Sequence, residues 1–86
     1  MARTDLAKRV KQRPFVPFRL VLTEGTGYEV RHPEQIMLAR DSLVIGVPGR
    51  NGDEDFFETT VLIDLFPIVK LEPIASQRRT RGGRDG

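Results

Sequence analysis

Between Phe18 and Arg31 polar and apolar positions alternate in two short runs. Phe18, Leu20 and Leu22 alternate with Arg19, Val21 and Thr23, and Thr26, Tyr28 and Val30 alternate with Gly27, Glu29 and Arg31. A period of two marks a strand with one buried face. A three-residue loop of Thr23, Glu24 and Gly25, with Gly25 in the left-handed position, predicts a hairpin pairing Leu22 with Thr26, Leu20 with Tyr28 and Phe18 with Val30. That register gathers the large apolar groups on one face and sets Arg19 opposite Glu29 on the other. A two-residue Glu24-Gly25 loop would bring Leu20 opposite Glu29 and is rejected for that reason.

Further along, Ile36 to Arg40 and Leu43 to Val47 predict a second hairpin through Asp41-Ser42, pairing Arg40 with Leu43, Leu38 with Ile45 and Ile36 with Val47. Met37 and Ala39 then share the reverse face with Val44 and Gly46. Both faces are largely apolar, as expected where a sheet curls over itself. His32-Pro33-Glu34-Gln35 reads as a turn with Pro33 in its second position. Pro48 to Asp55 is a loop by composition. Phe56 to Asp64 is a longer strand, Asp64-Leu65-Phe66-Pro67 a tight turn for which 3₁₀ geometry is one form, and Ile68 to Glu72 a short final strand stopped by Pro73.

At the other end, Thr4 is positioned to cap a short helix from about Asp5 to Gln12, ended by Pro14. Leu6 and Val10 stand four apart on one face, and a helix this short needs to dock through them. Phe15-Val16-Pro17-Phe18 is an extended lead-in, with Phe15 plugging one end of the core.

The fold expected of these segments is a five-stranded one behind one helix, its last two strands joined by a single tight turn. Apolar groups on both faces in the middle favour a small, strongly bent antiparallel barrel, and closure would hide the edges of Val- and Ile-rich strands. The order of elements is similar to the SH3-like and Sm-like barrels. The expected organisation is a basic N-terminal helix over residues 1–13, a barrel over 14–75 and a disordered basic tail over 76–86.

Charge changes this picture. The formal net charge is +2. Yet Arg3, Lys8, Arg9, Lys11 and Arg13 against Asp5 put residues 1–13 at +4, and Arg78, Arg79, Arg81 and Arg84 against Asp85 put residues 78–86 at +3. The stretch between carries −5, so an acidic body bears two basic ends. Candidate phosphate contacts are therefore Lys8, Arg9, Lys11 and Arg13 with Arg78, Arg79, Arg81 and Arg84, the last four in an Arg-Gly-Gly-type tail that suits RNA or DNA. With no cysteine, neither a disulfide framework nor a thiolate metal site is open to the chain. No apolar run approaches the roughly 20 residues that cross a bilayer, and the first residues contain no hydrophobic leader. The expectation is a cytoplasmic protein with no membrane partner.

Catalytic chemistry finds little footing. His32 is the only histidine, which removes a histidine pair for zinc. As a general base it would look to Glu34, but the simpler reading is that both hydrogen-bond the turn at Pro33. Asp53, Glu54 and Asp55, with Asn51 and Glu58 nearby, could gather oxygen ligands, although their spacing matches no calcium loop. The better reading is a solvated acidic loop. Gly25 and Gly27 form no phosphate cradle, and neither Ser42 nor Ser76 sits in a nucleophile setting. The chain reads as non-enzymatic, with no cofactor and no metal.

From Pro14 to Glu34 the chain resembles a group of short, uncharacterised bacterial proteins that share Pro-Phe-x-Pro-Phe-Arg, an acidic-Gly turn, then an aromatic, Val and His-Pro-Glu. The matching residues are Pro14, Phe15, Pro17, Phe18, Arg19, Gly25, Tyr28, Val30, His32, Pro33 and Glu34. The likeness continues less distinctly to about Pro73, leaves both basic ends uncovered and implies no particular activity. The acidic-plus-Asn nucleotide motif of Sm proteins does not occur after the second strand, where the chain has Arg31-His32-Pro33-Glu34-Gln35. The structural residues expected to matter most are Phe18, Leu20, Gly25, Tyr28, Val30, Pro33, Leu38 and Ile45. The expected role is a binding or assembly module that self-associates or docks a protein partner through an uncovered strand edge. The alternative is a nucleic-acid accessory gripping phosphates with its basic ends.

Overall fold

A computed structural model of the chain describes residues 1–49 and 56–74. In order these form α1 (Arg3–Lys11), β1 (Phe18–Leu22), β2 (Gly27–Val30), a 3₁₀ turn (Pro33–Gln35), β3 (Ile36–Leu38), β4 (Ser42–Pro48), β5 (Phe57–Asp64) and β6 (Ile68–Pro73).

The first hairpin has the register its alternation dictates. Phe18 pairs with Val30, Arg19 with Glu29 and Leu20 with Tyr28. The Leu22 N–H donates to the Thr26 carbonyl at 2.8 Å, and the Gly25 N–H donates back to Leu22 at 2.9 Å. Gly25 closes the loop with φ 103°, a conformation that a Cβ strains. Phe18, Leu20 and Val30 are buried, while Tyr28 packs half-buried against them. On the outer face the Arg19 guanidinium meets the Glu29 carboxylate at 3.1 Å.

The sheet does not continue into a five-stranded barrel. Six strands form two three-stranded antiparallel sheets, ordered β2-β1-β6 and β3-β4-β5, and among the described residues no closed barrel exists. The cause lies at Pro33. The turn there ends β2 at Val30 and starts β3 at Ile36, and the two strands pair with different neighbours. The expected turn is present, with the Gln35 N–H donating to the His32 carbonyl at 3.0 Å and Pro33 second in the turn. β2 before it pairs with β1 and β3 after it pairs with β4, so the strands on its two sides belong to different sheets.

The second hairpin is displaced by two residues from its expected register. Ile36 pairs with Ile45, Met37 with Val44 and Leu38 with Leu43, so the loop centres on Arg40-Asp41 and not on Asp41-Ser42. A shift of two keeps every side chain on its face. Ile36, Leu43 and Ile45 therefore still point into the core, with Leu38 half-buried beside them. What fails is the inference that the reverse face is covered, since Met37 is 73% exposed.

β5 pairs with β4 along its length, setting Leu43 against Ile63, Val44 against Leu62 and Ile45 against Val61, with an irregularity opposite Glu58. The chain then turns back at Leu65-Phe66-Pro67, where the Ile68 N–H donates to the Leu65 carbonyl at 3.1 Å. That segment is a simple turn, and among the described residues the 3₁₀ segment lies at Pro33–Gln35 instead. β6 returns to pair with β1, matching Leu20 to Leu71. Both sheets contribute to one core, in which Phe18 and Leu20 of the first meet Leu43, Ile45 and Ile63 of the second.

α1 docks on this core through Leu6, which is fully buried, with Val10 packed beside it. It begins at Arg3 with Ala2 as its cap and no side-chain cap bond, so Thr4 is not the cap. Tertiary anchorage sets the start: the Met1 ammonium donates to the Leu65 carbonyl at 2.9 Å and to Ile68 at 3.2 Å. The helix stops at Lys11, with Gln12 extended ahead of Arg13-Pro14. Phe15 is half-buried and its ring lies 5.9 Å from that of Phe18, the plug its position implies.

Candidate functional site

The bend at Pro33 is organised by a side chain that alternation does not single out. Gln35 is buried, with 6% of its surface exposed. Its Oε1 accepts from the Arg31 N–H at 2.7 Å and the His32 N–H at 3.1 Å. Its Nε2 donates to the Glu29 carbonyl at 3.3 Å and the Gly46 carbonyl at 3.1 Å. One amide thus satisfies backbone groups of both sheets where no ladder joins them. The spacing His32-x-x-Gln35 is a cap-like signal that could have pointed to it.

Above Gln35 lies a cleft of about 280 Å³ lined by Tyr28, Arg31, Val47 and Pro48, with Glu29 at its rim. It exists because β3 pairs only up to Ile45, leaving Gly46 to Pro48 without a paired strand on that side among the described residues. The Arg31 guanidinium is held by Glu29 at 3.0 Å, so its charge is locally balanced. The volume sits at the lower limit of roughly 300–1,000 Å³ typical of organic ligand sites.

The outer face of β3-β4-β5 is the more informative surface. Met37, Val44 and Leu62 are successive cross-strand partners and form one apolar row perpendicular to the strands. Met37 and Leu62 are 73% and 70% exposed. Next along β4, Gly46 provides a notch that the Phe57 ring fills so closely that a methyl group there would collide with it. β5 is the edge of this sheet among the described residues, so the row runs out to an open strand. The apolar reverse face was legible in the letters; its exposure was not.

The basic candidates divide. Arg9 stacks over the Phe18 ring with its guanidinium carbon 5.3 Å from the centroid. Arg13 donates to the carbonyls of Val10 and Gln12 at 2.9 and 2.8 Å, closing the helix end. Lys8 and Lys11 are exposed along the outer side of α1, beside Thr4 and Gln12. Arg78, Arg79, Arg81 and Arg84 lie outside the described residues, as do Asn51, Asp53, Glu54 and Asp55.

His32 and Glu34 are both exposed on the 3₁₀ turn, where His32 and Gln35 stand as the two ends of a capping box and the Gln35 side chain holds the N–H groups of Arg31 and His32. Among the described residues no group of three or more His, Cys, Asp or Glu side chains is placed to hold a metal ion, and no helix is long and apolar enough to cross a membrane. No protein-family model, curated protein or solved structure matches the chain. The resemblance over Pro14 to Glu34 therefore rests on the quoted residues alone.

Proposed function

We propose that this chain is a non-enzymatic binding and assembly module that works by self-association or by docking a protein partner on the β3-β4-β5 sheet. The observation that carries the reading is the row Met37-Val44-Leu62, with Met37 and Leu62 exposed on either side of a half-buried Val44 and its end at the open edge of β5. Contiguous apolar surface of this kind marks interaction sites on small proteins. An open edge adds unpaired backbone donors and acceptors that a further strand can satisfy. Sedimentation across micromolar to millimolar concentration, with affinity capture alongside, tests it. The expected result is a mass that rises with concentration or a stoichiometric captured protein. A solitary monomer that captures nothing overturns the proposal.

A second reading, a nucleic-acid accessory, draws support from Lys8 and Lys11 on the open side of α1. It predicts salt-sensitive binding to RNA or DNA, with a slope of roughly −0.9 per phosphate contact on duplex DNA. Deleting residues 76–86 would then weaken binding sharply. Unchanged affinity, or none, removes it.

A further inference from the structure

We propose that the partner for the β5 edge is β5 of a second copy of this chain, paired antiparallel about a two-fold axis with Leu62 opposite Leu62. This rests on the self-association reading above and specifies its register.

The backbone decides which residues offer hydrogen bonds to a newcomer. Bonded pairs recur at every second residue of an antiparallel ladder. The Leu65 N–H donates to the Asp41 carbonyl at 3.0 Å, which makes Leu43–Ile63 and Ile45–Val61 the bonded pairs between β4 and β5. The bond from the Ala39 N–H to Ser42 at 2.8 Å fixes the same phase from the β3 side. Thr60, Leu62 and Asp64 therefore turn their N–H and C=O groups away from β4, onto the open edge.

Side chains then select the register. Directly opposed residues share a face, so a two-fold pairing of β5 with itself is centred on one residue. Centring on Val61 sets Asp64 against Glu58 of the second copy, two carboxylates together. Centring on Thr60 sets Leu62 against Glu58, and centring on Ile63 sets Leu62 against Asp64. Centring on Thr59 runs the ladder through the irregularity opposite Glu58. Centring on Leu62 instead opposes Leu62 with Leu62, Val61 with Ile63 and Thr60 with Asp64, and over this stretch of β5 no carboxylate faces a carboxylate or an apolar group.

The same register accounts for the surface. The row Met37-Val44-Leu62 continues into the Leu62-Val44-Met37 row of the second copy, one unbroken apolar band across both sheets. Phe66, 93% exposed in the turn after β5, comes level with Glu58 of the second copy, next to Phe57. Apolar side chains from three separate parts of the chain thus converge on one interface.

Because the chain has no cysteine, single substitutions report the register directly. In a bonded antiparallel pair the Cα atoms lie about 5.5 Å apart, within the range a disulfide spans. Under mild oxidation L62C is expected to form a covalent dimer, whereas T60C and V61C stay largely uncrosslinked. In sedimentation of the full chain, L62D is expected to raise the dimer dissociation constant at least tenfold, with a melting temperature unchanged at concentrations where the parent is monomeric, because Leu62 is exposed there. A dimer that crosslinks best through T60C or V61C, or one that L62D leaves intact, overturns this register while self-association stands. A monomer at every concentration removes self-association itself, and this proposal with it.

Discussion

The Gln35 Nε2 donates to the Gly46 carbonyl at 3.1 Å, and because it also donates to the Glu29 carbonyl at 3.3 Å it ties a strand of each sheet to the other. The same amide oxygen holds the N–H groups of Arg31 and His32. Removing it strands several backbone groups in a site that water does not reach freely. Q35A is expected to cost about 1–3 kcal/mol, read from denaturant unfolding. Q35E should cost at least as much at neutral pH, since a carboxylate oxygen then faces the Glu29 and Gly46 carbonyls.

Leu6 is the contact by which α1 belongs to the fold, and its side chain is wholly buried. L6A is expected to lose about 2–5 kcal/mol, as for other large-to-small core substitutions. K8A on the exposed side of the same helix should stay within about 0.5 kcal/mol of the parent. Equal effects from both would contradict the docked arrangement.

Arg19 and Glu29 face each other across the first hairpin at 3.1 Å, both substantially exposed. A double-mutant cycle should return a coupling of about 0.2–1 kcal/mol that shrinks with added salt. The reversed pair R19E/E29R should recover only part of what E29R loses, because Arg31 then lacks the carboxylate that Glu29 gives it.

Two glycines are constrained for different reasons. G25A places a Cβ on backbone at φ 103° and is expected to cost about 1–2 kcal/mol. G46A meets the Phe57 ring instead. Its expected cost is about 1–3 kcal/mol, together with displacement of that ring, visible in aromatic proton shifts. F57A should relieve the penalty at Gly46 and leave that at Gly25 untouched.

What the letters conveyed depended on the range of the interaction. The hairpin from Phe18 to Val30 was legible to the residue, because alternation, an opposed charge pair and one turn glycine all agree on it. The second hairpin was legible in its faces but not in its register, since Asp41-Ser42 is a weak turn signal and neighbouring apolar residues tolerate a slip of two. Barrel closure was misjudged at Pro33, where one buried glutamine joins the sheets in place of a ladder. Exposure of Met37 and Leu62 was hidden because an apolar letter does not say whether anything lies on top of it. That same exposed row now forms the candidate site.

β1 lies between β2, its immediate successor along the chain, and β6, about fifty residues further on; the ladder extends to an Ile74 N–H bonded to the Pro17 carbonyl at 3.2 Å. The central strand of that sheet thus waits, half-partnered, until the last strand has been synthesised. Pairings this distant slow folding, because the intervening loop is closed before any contact repays it. Until β6 joins the sheet, Phe18 and Leu20 lack a strand on one flank, and a chaperone acting on the unfolded chain would find its target there.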